Sequence, residues 1–269
     1  KEDVKAARTR RILLGSDNNM SLAEEQHQPP APAVPAAGPL PDAVTEEELM
    51  NSGHELHESH TCPLCCLADS VARGDSLQVH ALLHEDGMQR LTPTPDSDAA
   101  RLALVRKRVD AKDPVATEFL ASSYYDGKYG LQPDIPLAVE LWTEAAHLGD
   151  LHAHYKLGYR YYYGEGVEKD MDRGVRHCQH AAIQGHPTSR HALGIHECDE
   201  GNHELAVRHW MISAKLGLEE SLNEIKEMFI EGHAKKAQYA EALKGYQNAL
   251  EETKSPQREE AKACFNGCD

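Results

Sequence analysis

The feature that most constrains this chain is that it repeats itself. Ala116, Leu120, Tyr124, Gly127, Asp134, Ala138, Trp142, Ala145, Ala146 and Gly149 fall in the same columns as Ala153, Leu157, Tyr161, Gly164, Asp170, Gly174, Cys178, Ala181, Ala182 and Gly185. The offset is 37 residues ahead of the internal turn and 36 after it. A third copy carries Ser189, Leu193, Gly194, Gly201, Ala206, Trp210, Ser213, Ala214 and Gly217 and is about four residues shorter between its helices. A fourth begins at Ser221 and Ile225 and runs into a helix from Lys235 to about Glu252. A period of this length is the signature of stacked helical pairs, each of which buries its apolar face only against its neighbours. The expected fold class is therefore all-α, an α-solenoid of helix-turn-helix repeats over residues 113–254, behind a disordered N-terminal arm.

Each column has a physical task. Ala153, Leu157 and Tyr161 are spaced by four and form one buried stripe. Gly158 and Gly194 lack a side chain beside that stripe and let another helix come close. The turn from Tyr163 to Val167 places glycine where a side chain at positive φ would be strained. Asp134 and Asp170 stand where an N-cap carboxylate accepts from an orphan amide. The Ala-Ala-x-x-Gly ending supplies small residues for tight packing and a glycine suited to the left-handed position after a helix. Gly174 stands where alanine would favour the helix, a local cost.

The clearest copy, A-H-Y-K-L-G-Y-R-Y-Y-Y-G-E-G-V-E-K-D from Ala153 to Asp170, resembles the Sel-one-like repeat, a relative of the tetratricopeptide repeat. The resemblance covers a little over half the chain and implies a non-enzymatic scaffold for complex assembly, signalling or protein degradation. In such a stack the first helix of each repeat lines a concave surface, so the residues left over after the buried stripe is assigned would meet a protein or peptide partner. In the second repeat these are His152, Tyr155, Tyr159 and Tyr162, in the first Glu118, Ser122 and Tyr125, and in the third His191 and Ile195. Tyrosine suits recognition because it presents a large apolar ring and a polar tip at low entropic cost.

Ahead of the array the chain changes character. The stretch QPPAPAVPAAGPLP, residues 28–41, favours extended and solvated backbone, so residues 1–58 are expected to be largely disordered. Residues 98–111 are amphipathic, with Leu102, Val105 and Val109 on one face, and are expected to form a linker helix; residues 255–269 are expected to fray. A net charge of −16 argues against nucleic acid and against anionic membranes as partners. No apolar run of membrane-spanning length and no secretory leader is present, which points to a cytoplasmic or nuclear protein. The chain opens on Lys1 rather than Met, so an upstream segment or a start at Met20 is expected, and the missing leader carries less weight.

Residues 59–92 hold the metal chemistry, if there is any. Cys62 and Cys65 form a C-x-x-C knuckle, and His80 and His84 complete C-x2-C-x14-H-x3-H, the spacing of a two-Cys two-His zinc site. The loop is two residues longer than in the commonest finger, and His54, His57 and His60 offer rival ligands. The readings that stand are one zinc at Cys62 and Cys65 with histidines, His80 and His84 by spacing, or a relic stretch with no site. Some proteins with the resembled repeats carry a RING-type finger that opens with C-P-x-C, as here. That resemblance implies the alternative role, a component of a ubiquitin ligase recruiting a conjugating enzyme, but the later C-x-x-C pairs of a RING are missing before Thr92. Ten of the seventeen histidines lie between His147 and His209, and they are expected to be solvent-facing decoration without a common repeat column. Cys178 is expected to be a small core residue rather than a nucleophile. No catalytic constellation can be nominated from spacing.

Overall fold

The computed structural model describes residues 40–55 and 97–252. Among these there are ten helices and no strand. They are α1 (Glu46–Asn51), α2 (Asp98–Asp110), α3 (Pro114–Asp126), α4 (Ile135–His147), α5 (Leu151–Tyr163), α6 (Met171–Ile183), α7 (Pro187–Asp199), α8 (His203–Lys215), α9 (Glu219–Ile230) and α10 (Lys236–Glu252). They belong to two compact bodies, one containing the described residues up to His186 and one running Pro187–Glu251.

In the first body α3 with α4 is the first repeat and α5 with α6 the second, and each helix is 13 residues long. The starts follow from the aspartates. Asp113 accepts from the amides of Val115 and Ala116, Asp134 from Leu137, Asp150 from Ala153 and Asp170 from Arg173. The stops follow from the glycines: Gly127, Gly149, Gly164 and Gly185 all have positive φ. The amides of Asp150 and His186 return to the carbonyls of Ala145 and Ala181 and satisfy the last turn of each second helix. The stripe is buried as the columns require, with Ala121, Ala138, Trp142, Ala145, Ala153, Leu157 and Tyr161 in one core cluster. Helix α2 packs in front through Leu102 and Val105, with Val109 beside them, against Ala116, Phe119 and Leu120.

Gly174 corrects the sequence reading. A Cβ there would lie 2.7 Å from the Gly158 carbonyl oxygen and 2.8 Å from the Tyr162 amide nitrogen, while one on Gly158 would lie 2.6 Å from Cys178 Sγ. The two glycines let α5 and α6 touch backbone to backbone, so Gly174 answers a packing demand rather than standing as a blemish in a helix. Cys178 is buried in this contact, and burial pushes its thiol up to about 12.

The arm departs from the expectation of disorder in one described place. Thr45 caps α1 by accepting from the Glu48 amide, three glutamates occupy its first turn, and Leu49 and Met50 are buried as α1 packs on α6. The second body repeats the plan. Trp210 is fully buried, and a Cβ on Gly194 would strike its indole at 2.4 Å. Ala206, Val207, Trp210, Ala214, Leu222, Ile225, Met228 and Ala242 make its core, closed by α9 and α10. The shortened turn of the third repeat shows in the cap: the Asn202 side chain caps no amide of α8 and donates instead to Glu197.

Candidate functional site

The face expected to receive a partner lies in the first body on α3 and α5. Ser122, Tyr125, His152, Tyr155, Tyr159 and Tyr162 are half-buried, each presenting part of its side chain to solvent. His152 Nε2 lies 3.9 Å from Glu118 Oε1, where the two first helices meet. Glu118 itself is only 3% exposed. It accepts from Ser122 Oγ at 2.7 Å, and that hydroxyl accepts from the Trp142 indole at 3.3 Å. Burial raises the Glu118 carboxyl, opposed by Lys156 and by these hydrogen bonds. Asp150, the cap of α5, is likewise pushed up to about 7 by burial and then by the Glu118 charge.

Aromatic rings pave the rest. Tyr155 stacks on His186 at 5.5 Å between centroids, and His152 lies 5.7 Å from Tyr155 and 5.8 Å from His186. Tyr163 lies 4.7 Å from Tyr159 and 5.0 Å from Tyr162. The Arg160 guanidinium sits 3.8 Å above the Tyr125 ring and 5.2 Å from that of Tyr159, and it pairs with Glu165. A cation on the electron-rich face of a ring is attracted to it, so Arg160 fixes these tyrosines from beneath. Sequence reasoning missed Arg160, Tyr163, His186 and Asp150. Spacing along one helix says which residues share its face, but not which side chain of another segment will cover them.

That limit also explains where Glu118, His191 and Ile195 went. Glu118, Tyr155 and His191 share a column, and Glu118 and His191 meet the first helix of the following repeat within their own body. Glu118 turns to His152 of α5, and His191 Nδ1 bonds Ser221 Oγ of α9 at 2.8 Å. Ile195 packs in the core of the second body with Ala206, Val207 and Trp210. None of the three is a solvent-facing position. Burial lowers the His191 imidazole to about 4.

Half of the ten histidines are not solvent-facing decoration, whereas His147 is exposed as expected. His154, His177, His186, His191 and His209 are all buried, and His177 and His209 share a column. Of the nominated metal ligands, Cys62, Cys65, His80 and His84 lie outside the described residues. Among the described residues no three His, Cys, Asp or Glu side chains are grouped to hold a metal, and no helix is long and apolar enough to cross a membrane.

Comparison with known proteins gives the same register. A family model described as the Sel1 repeat matches residues 114–150 and 151–186. An uncharacterized protein of Neisseria meningitidis serogroup B is 35% identical over 69 residues, 26% of this chain and 14% of that protein. The chain thus spans about a seventh of the curated relative it matches. The crystal structure of a Sel1 repeat protein from Oxalobacter formigenes superposes with a TM-score of 0.51 at 23% identity, covering 68% of this chain and 75% of that one. A protective antigen of uropathogenic Escherichia coli displaying an SLR fold gives 0.48 at 25% identity, over 56% of this chain and 33% of that one.

Proposed function

Residues 114–150 and 151–186 are Sel1 repeats, and from that premise we propose that the chain is a non-enzymatic adaptor whose partner, a protein or peptide, binds the ring-paved face of α3 and α5. The observation that carries the reading is the run of half-buried rings at Tyr125, His152, Tyr155, Tyr159 and Tyr162, with Arg160 over Tyr125 and Tyr159, His186 stacked on Tyr155 and Tyr163 against Tyr162. Rings already fixed lose little freedom on binding, so contact area is gained at low entropic cost. The site of action is cytoplasmic or nuclear. Changing Tyr155 and Tyr159 together to alanine is expected to weaken partner recovery at least about tenfold, the loss of roughly 1.4 kcal/mol or more, while the helical circular dichroism stays intact. Unchanged recovery with an unchanged fold removes this face from consideration.

The Cys/His segment is proposed to hold one zinc through Cys62, Cys65, His80 and His84, on the strength of its ligand spacing. Elemental analysis of the chain with Cys62 and Cys65 both changed to serine checks it: zinc content should fall from one per chain to none, and undiminished zinc rules the site out.

A further inference from the structure

Between α5 and α6 lies a pair of buried imidazoles that nothing in the repeat architecture requires. His154 Nδ1 and His177 Nδ1 are 3.0 Å apart, and the two residues are 7% and 6% exposed. Nitrogens at this distance share one hydrogen, so each ring is locked in a tautomer, and two imidazolium ions would oppose N–H to N–H. The charged and titratable groups facing the pair are His147 from α4 and Arg173 and His180 from α6, with the His180 ring 4.3 Å from that of His154. Asp42 of the arm faces His180. Apart from the Ala146 backbone, whose hydrogen bond with His154 favours the charged ring, the surroundings of the pair are thus basic or apolar, with the Tyr161 ring stacked over His177.

The first repeat shows what these columns hold when they do not titrate. There the equivalents of His154 and His177 are Thr117 and Leu141, and Leu141 packs against the core cluster of α2 and α3. In the second body the same columns hold Arg190 and His209, both fully buried or nearly so, and neither ring nitrogen of His209 has a hydrogen-bond partner.

We propose that the second repeat is a proton-sensitive element: uptake of protons at the His154–His177 pair parts α5 from α6 and dismantles the ring face that α5 carries. Both imidazoles are driven down to about 3, chiefly by burial, then by His177 and His180 for His154 and by Arg173 and His180 for His177. A histidine whose folded pKa lies below its unfolded value of about 6.5 contributes full stability above that value and loses it as pH falls toward about 3. The window opens at mildly acidic pH, above the range in which exposed carboxylates titrate.

The test grafts the first repeat's solution into the second, His154→Thr with His177→Leu, in the full chain. Helical circular dichroism is followed from pH 8 to pH 3.5. The acid midpoint of the double variant should lie about one pH unit below that of the natural chain, not lower, because His180, His191 and His209 still take up protons on unfolding and keep the chain acid-labile. Equal midpoints overturn the proposal. In parallel, histidine carbon resonances of the natural chain are titrated by NMR, a measurement that stands even if the variant fails to fold. Resonances of His154 and His177 that stay neutral until the helices are lost support it. Resonances that titrate near pH 6.5 in a chain still fully helical overturn it.

Discussion

A glycine inside a helix reads as a local weakness, yet Gly158 and Gly174 are where α5 and α6 meet backbone to backbone. Their substitution should therefore cost more than that of a glycine chosen for its backbone angle. A Cβ on Gly174 meets two backbone atoms of α5 at 2.7 and 2.8 Å, and backbone cannot rotate aside. Gly174→Ala is expected to destabilise by about 2–3 kcal/mol through overpacking. At Gly149 φ is +95°, but nothing lies within 4 Å of the added Cβ, so Gly149→Ala should cost only about 1 kcal/mol of left-handed strain. Urea midpoints of the two variants check the order, and an equal or smaller loss for Gly174→Ala would show that the helices separate without penalty. The same contrast says what was legible at this scale. Gly149, Gly164 and Gly185 were readable because a left-handed turn is a local property of the chain. Gly174 was misread because its reason lies on another helix, and for the same cause His154 and His177 gave no signal, since histidine is neutral in an apolar pattern until a partner buries it.

The four repeat helices of the first body begin on aspartate, and one of those caps works against itself at neutral pH. Asp150 accepts from the Ala153 amide at 2.6 Å and is buried near Glu118, and its carboxyl is raised toward about 7. A carboxyl raised above its unfolded value near 3.8 contributes stability that is fully present below that value and is lost as pH rises through its folded pKa. Asparagine caps a helix about as well as aspartate and does not ionise. Asp150→Asn should therefore stabilise the chain by about 1–2 kcal/mol at pH 8, with most of that gain gone at pH 5. Urea unfolding at both pH values decides it; a loss at pH 8 would mean that the ionised carboxylate is welcome at the start of α5. At this scale Asp134 and Asp170 were foreseen as caps from their place between turn and stripe, because capping reaches only three residues ahead. The division of the first-helix surface was foreseen in part. Tyr159 and Tyr162 keep an open side, whereas Glu118 and His191 are claimed by the next repeat, and that depends on how helices stack rather than on how they are spaced.

At the scale of the molecule, stability in a repeat array is close to a sum of local terms, since each helical pair touches mainly its neighbours. The described residues of the arm add one term of their own, the packing of α1 on α6 through Leu49 and Met50. Two buried apolar side chains contribute up to roughly 1.5–3 kcal/mol each by area, but fixing the residues of α1 costs about 1 kcal/mol or more apiece. The net support from α1 must be small. The first body keeps its own front cover without it, because Ser97 caps α2 and Leu102 and Val105 already close the apolar face of α3. A chain beginning at Ser97 should accordingly show the helix content expected for residues 98–252, with its thermal midpoint lowered by only a few degrees, the shift produced by about 1 kcal/mol. Circular dichroism and a thermal scan of that chain against the full one test the modular reading. Loss of the helical signal in the shortened chain would show that the arm is part of the fold, with the packing of α1 on α6 as the contact to break next, through Leu49→Ala and Met50→Ala in the full chain.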